Sequence, residues 1–385
     1  MNIQGCSQQS NLTVVPNNRD LYPEQLSPQV NSTPSIPLTG KNLNCLKALN
    51  ASLRKALLQI AGCNRHWSAI PLPGSDTFAV EAMLCSLLGT TDHLLIIENG
   101  ILGSRMAEIC HIHHIRHSVL HFDPRRGIEL NLVAQALEQD RSITHIAAAH
   151  FEKLYGVKND IDGLAQLAEV HGCRLMVDAI YTFGAIPLNY SAPALAAVAF
   201  SSSKCLHAPP GIAFVLVCKS ELAQRTPPRT FGLDLKAQYH SLEQQGQWRI
   251  SPSLSMMASL HQAIEHYQQQ GGREARYQLY CQRMIHLLKG MAALGFRPCI
   301  EPQYCAPLLV TLTAQHGQPF DIGQLNELLR QQQLVLSVTP GEEERSFRIG
   351  VMGELSFTDI DSLVNAFRDL AQMQRIDSLN ELPLG

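Results

Sequence analysis

The stretch "AVAFSSSKCLHAPPGIAFVLV" carries one lysine, Lys204, after three serines and before a Pro-Pro-Gly turn, between two apolar runs. An amine held at such a junction is suited to imine formation with an aldehyde. Asp178 closes another apolar run, "RLMVD". Taken singly, an aspartate there reads as a helix N-cap and a lysine there as a solvated loop residue. Taken as a pair across one strand–helix–strand step, they supply a nucleophilic amine and a carboxylate for a buried cation.

Those are the two demands of pyridoxal phosphate. Its aldehyde needs a lysine to form a Schiff base, and its pyridine nitrogen needs a carboxylate to stay protonated. A phosphate seat is offered by "PGSDTFAVEAML" (73–84), a Gly-Ser-x-Thr turn that opens an apolar-faced helix. A helix N-terminus presents unpaired N–H groups and a positive dipole end. Ser75 and Thr77 add hydroxyls, or Ser75 and Asp76 simply cap the helix. The Asp76 charge opposes a phosphate dianion. Arg348, in "SFRIG", is either a bidentate grip for an anionic substrate or a surface ion-pair partner.

Positioning these residues requires strands. Apolar runs at 94–98, 117–122, 145–151, 174–179, 197–202 and 212–217 alternate with amphipathic stretches such as 130–140 and 161–172. This predicts a mainly parallel sheet with helices on both faces. The 197–202 and 212–217 runs are too closely joined for a helical crossover and are expected to be antiparallel. In such sheets ligands sit beyond the carboxyl ends of the strands, where Asn99, Glu152, Asp178 and Lys204 all fall. A helix is expected at 43–62 and a long helical stretch at 254–295. Strands at 307–314, 334–340 and 346–353, with helices near 321–332 and 357–374, read as a small α+β unit. The expected division is an irregular arm at 1–40, a large domain at 41–295 and a small domain at 296–385.

The chain has 385 residues, a formal charge of −3 and a pI near 6.6, which gives no electrostatic case for nucleic acid or an anionic membrane. The 11 cysteines include no Cys-x-x-Cys pair. With no secretory leader and no apolar run long enough to span a bilayer, a cytoplasmic setting is expected. "CHIHHIRH" (110–117) has i,i+4 Cys/His spacings. It lies at a helix-to-strand transition, so no metal is expected there. No Gly-x-Gly-x-x-Gly follows a strand, which argues against a nicotinamide cofactor.

From about residue 65 to 372 the chain resembles the class V (fold type I) pyridoxal-phosphate aminotransferases. It is most similar to the 2-aminoethylphosphonate–pyruvate transaminases. The resemblance rests on "GSDTFAVEAML", "ENGILGSRMAEIC", "ITHIAAAHFEKLYGVKNDIDG", "CRLMVDAIYTFGAIPL", "SSSKCLHAPPGIAFV", "GQWRISPS" and "FRIGVMGELSFTDI". It implies a seven-stranded, mainly parallel sheet plus a smaller α+β domain, and a homodimer with shared active sites. Lys204 would carry the cofactor and Asp178 would meet its ring nitrogen. Ser75, Asp76, Thr77, Glu152 and Ser203 would complete the cofactor site, and Arg348 would bind substrate. The reaction implied moves an amino group from a small amine, such as 2-aminoethylphosphonate, to a 2-oxo acid such as pyruvate.

The shell departs from the family pattern in several places. Asp76 replaces a glycine, Leu102 an aromatic, and Tyr181 a serine. "EKLYG" (152–156) stands for "ETTTG", "SK" (203–204) for "NK", and "PSLSM" (252–256) for "PPTHT". These changes keep two alternatives open: a lyase or a transaminase for another small amine, and a non-catalytic binding or regulatory homologue.

Overall fold

The computed structural model describes residues 43–224, 227–250, 253–314 and 346–380, with residues 19–20, 327, 334–335 and 337–338. Helix α1 (Leu43–Ala61) leads into strand β1 (Trp67–Gly74). Then α2 (Asp76–Leu87), β2 (Leu94–Glu98), α3 (Ile101–Ile112), β3 (His117–His121), α4 (Leu130–Gln139), β4 (His145–Ala149), α5 (Ile161–Val170) and β5 (Arg174–Asp178) alternate. Strands β6 (Leu195–Ser201) and β7 (Gly211–Cys218) complete a seven-stranded sheet in the order β1-β7-β6-β5-β4-β2-β3. Pairing is parallel from β3 across to β6, and β7 runs antiparallel to both neighbours. The short β6–β7 connection forces that reversal, as expected from the sequence.

Burial explains which runs became strands. Residues 195–201 are buried throughout, as are 145–149, the pattern of strands covered on both faces. Strand β1 was not among the expected runs, because Pro71 and Pro73 interrupt it. It lies at the sheet edge, where a missing N–H costs no ladder bond. The Ala69 carbonyl accepts from Arg54 Nε at 2.9 Å and the Pro71 carbonyl from Gln238 Nε2 at 2.9 Å, so both point away from β7.

Helices α6 (Lys219–Ala223) and α7 (Leu235–Gln245) precede α8 (Leu254–Gln269) and α9 (Gly272–Ala293). The long helical stretch expected at 254–295 is therefore two helices. Gly271 and Gly272, with φ of 97° and 68°, break it where side chains are strained.

A second, antiparallel sheet has the order β8-β9-β11-β10, from β8 (Phe296–Pro298), β9 (Leu309–Ala314), β10 (Ser337–Val338) and β11 (Ser346–Gly350). Helix α10 (Phe357–Asn380) closes it through Phe296, Phe347 and Phe367, whose ring centroids lie 4.9–5.3 Å apart. A two-residue hairpin, Phe151–Glu152 with Val157–Lys158, follows β4. Of the expected helix at 321–332, all but residue 327 lies outside the described residues, as does most of the arm at 1–40.

Candidate active site

Segments after β2, β4, β5 and β6 meet at the carboxyl ends of the parallel strands. Asp178 ends β5, in register with Ala149 of β4 and Ala199 of β6. It is 2% exposed and accepts one hydrogen bond from Ile180 N at 2.9 Å. Burial drives its pKa up to about 7, reinforced by Asp76 and Glu152 and opposed by the Ile180 N–H and Arg105.

Lys204 follows Ala199 by five residues and is also buried. Its Nζ lies 5.2 Å from the ring centroid of Tyr181, three residues beyond Asp178. The loop that carries the amine thus faces an aromatic ring of the segment that directly follows the carboxylate.

That loop is held on all sides. Ser202 N donates to Ile212 O at 3.0 Å, Ala208 N to Ser202 O at 3.1 Å, and Ser202 Oγ to Pro209 O at 2.8 Å. Arg276 Nη1 donates to Cys205 O at 2.9 Å. His207 takes φ 58°, a left-handed conformation rare outside glycine. Its Nε2 accepts from Gly353 N at 3.1 Å and lies 2.7 Å from Tyr280 OH. Because a backbone N–H can only donate, Nε2 is unprotonated and Nδ1 carries the hydrogen toward Glu354. Burial pulls the His207 pKa down to about 4 against the opposing Glu354 hydrogen bond, in keeping with a neutral ring.

The α2 N-terminus lies at the same end of the sheet. Ser75 is its N-cap, yet the Ser75 side chain makes no capping bond. Asp76 Oδ1 instead accepts from Thr77 N at 2.8 Å, and Arg105 Nη1 donates to Thr77 Oγ1 at 3.2 Å. Asp76 therefore occupies one amide that an anion would use, while Arg105 brings a compensating cation.

Glu152 is committed to backbone amides. Its carboxylate accepts from Leu102 N at 2.9 Å and Leu154 N at 3.1 Å, so it anchors the first turn of α3. Burial raises its pKa. Asn99 is likewise structural: Asn99 and Asn159 exchange amide hydrogen bonds of 2.8 and 3.1 Å. Ser203 is buried, with its Oγ 3.4 Å from Ser201 Oγ. Arg348, on β11, is 8% exposed and reaches the Lys153 carbonyl with Nη1 at 3.4 Å. This bond links the second sheet to the hairpin after β4.

Three contributors escaped the sequence reading: Arg105, His207 and Glu354. Arg105 carried a weak signal, as a cation on the helix that follows a strand-end Asn-Gly. His207 and Glu354 are 147 residues apart and gave none. In the 110–117 stretch, His113 binds Glu81 at 2.7 Å and His117 Nδ1 lies 2.8 Å from the Ile115 carbonyl. Among the described residues, no three His, Cys, Asp or Glu side chains gather as a metal site, and no helix is long and apolar enough to cross a membrane.

The family model "Aminotransferase class-V" matches residues 74–342. The chain belongs to the class-V aminotransferase family. A 2-aminoethylphosphonate–pyruvate transaminase of Pseudomonas putida is 32% identical over 332 residues, covering 86% of this chain and 90% of that protein. One from Vibrio cholerae is 32% identical over 327 residues, covering 84% and 89%. Among solved structures, an alanine–glyoxylate aminotransferase from Nostoc sp. superposes with a TM-score of 0.83 at 20% identity, covering 91% of this chain and 94% of that one. A pyridoxamine–pyruvate aminotransferase from Mesorhizobium loti gives 0.81 at 20% identity, covering 92% of each chain. These structures share the α/β fold.

Proposed function

We propose that this protein is a pyridoxal-phosphate-dependent transaminase that moves the amino group of 2-aminoethylphosphonate, or a related small aminophosphonate, to a 2-oxo acid such as pyruvate. The observation that carries the reading is the buried pair Asp178 and Lys204, one at the end of a parallel strand and the other in the loop after the adjacent parallel strand, with Lys204 Nζ 5.2 Å from the Tyr181 ring centroid. The substrate is taken from the relatives that share about a third of its sequence over most of its length.

The residues present fit the cofactor. Ser75 and Thr77 at the α2 N-terminus would hold its phosphate with Arg105. Asp178 would hold its ring nitrogen, and Lys204 would hold it covalently. Ser203, buried next to Lys204, would add a hydroxyl to the site, and Glu152 would act by fixing α3. When bound, the cofactor supplies an electrophilic aldehyde and a ring that takes up the electron pair released at the substrate carbon.

The chain supplies the rest. Asp178, whose carboxyl is raised chiefly by burial, would be held ionised by a protonated ring nitrogen opposite it. The Lys204 amine, when free, would act as the base that takes the proton from the amine-bearing carbon and as the acid that gives it back. Arg348 would grip an anionic group of the substrate. Residues 41–295 would form the cofactor-binding domain and 296–385 the small domain, with 1–40 as an arm. A second copy would complete the site, a reading supported by exposed Phe78 and Ile101 at the starts of α2 and α3.

The test is borohydride reduction of the protein loaded with pyridoxal phosphate, followed by peptide mass spectrometry. The cofactor should be trapped on Lys204, and 2-aminoethylphosphonate with pyruvate should then give alanine. Absence of trapping would overturn the reading and favour a non-catalytic role. Product release without any 2-oxo acid would make the protein a lyase.

A further inference from the structure

Lys153 is a cation the transfer chemistry does not require. Its Nζ lies 5.9 Å from the Tyr181 ring centroid, and Lys204 Nζ lies 5.2 Å from the same centroid. The Lys153 backbone carbonyl is the acceptor for Arg348 Nη1 at 3.4 Å, which brings the guanidinium to the segment that carries the lysine. Arg348 is 8% exposed, and its Nε is buried without a hydrogen-bond partner.

The local charge balance is positive. Burial lowers the Lys153 pKa, and Arg105, Arg348 and Lys204 lower it further, with Asp76 opposing. The nearby carboxylates Asp178 and Glu152 are both raised toward neutrality by burial. Lys153 thus feels three further cations, Arg105, Arg348 and Lys204, and a concentration of positive charge of this kind calls for anions from outside. A cofactor phosphate at Ser75 and Thr77 would answer Arg105. It leaves Lys153 and Arg348 for a second anion.

We propose that Lys153 and Arg348 together seat the distal anion of the substrate, and that Lys153 sets a preference for a dianionic phosphonate or phosphate ester over a carboxylate. The inference rests on the transaminase reading for the identity of the site. A guanidinium alone matches a carboxylate bidentately. A second cation, the compact charge of a lysine, repays only a tail with a second negative charge.

The test compares binding of ethylphosphonate and propionate to the cofactor-loaded protein by calorimetry, at a mildly alkaline pH where the phosphonate carries two charges. Neither probe has an amine, so no turnover occurs. The native protein should bind ethylphosphonate at least about tenfold more tightly. Lys153→Met should bring the two within about twofold, and Lys153→Arg should restore the gap. An unchanged ratio in Lys153→Met, or no preference in the native protein, would overturn the assignment. Circular dichroism checks folding, and Lys153→Gln carries the same comparison should the methionine variant not fold. Failure of the transaminase reading is separate: it shows as absent trapping on Lys204.

Discussion

His207 Nδ1 stands 3.3 Å from Glu354 Oε1 and thereby joins the loop of Lys204 to the segment beyond β11. The contact needs a neutral ring, since Gly353 N–H occupies Nε2. The folded protein therefore excludes a proton that the unfolded chain accepts below about 6.5. Stability from this group is complete above that value and is lost as pH falls toward about 4. Thermal melting of His207→Gln across that window should show a flatter pH dependence than the native protein. Parallel curves would count against the clamp.

Asp178 has the opposite sign. Its carboxyl rises from 3.8 to about 7 in the cofactor-free fold. The folded state holds a proton there that the unfolded chain has released, so folding becomes less favourable as pH climbs through that window. Asp178→Asn should therefore raise the melting temperature of the cofactor-free protein more at pH above about 7 than at pH near 4. With cofactor present the variant should bind it more weakly. A melting difference independent of pH would contradict the burial argument.

Asp76 places a negative charge where the phosphate is expected. Asp76→Asn keeps the acceptor for Thr77 N and removes only the charge. One charge at a helix N-terminus is worth roughly 0.3–1 kcal/mol, so pyridoxal phosphate should bind about two- to fivefold more tightly. Fluorescence titration of the cofactor-free variant measures this directly.

Gly100 sits at φ 151°, and a Cβ there would lie 2.6 Å from Glu152 Cδ. Gly100→Ala should cost about 2–4 kcal/mol in urea unfolding, through strain and displacement of the carboxylate that anchors α3. A loss below about 0.5 kcal/mol would mean that Glu152 moves aside freely.

The Asp–Lys pair was legible because the fold makes it local: one strand separates the two residues in sequence, and strand ends are where an α/β sheet puts its ligands. The antiparallel return of β7 was legible from loop length alone. Strand β1 was hidden because its two prolines are acceptable only at an edge, and edge position is a property of the finished sheet. The break between α8 and α9 hung on two glycines whose φ values a helical pattern does not reveal. Glu152 and Asn99 stood at the expected strand ends, yet Glu152 serves the Leu102 and Leu154 amides and Asn99 pairs with Asn159. His207 and Glu354 owe their pairing wholly to how the second sheet meets the first.

The edge strand β1 has one more consequence. An open sheet edge is a template onto which a foreign strand can add. Here Pro71 and Pro73 offer no donor, and the outward carbonyls of Ala69 and Pro71 are already taken by Arg54 and Gln238. Two of the donors that would seed strand-by-strand aggregation are thus missing and two of the acceptors are occupied, which blunts this border of the sheet as a template.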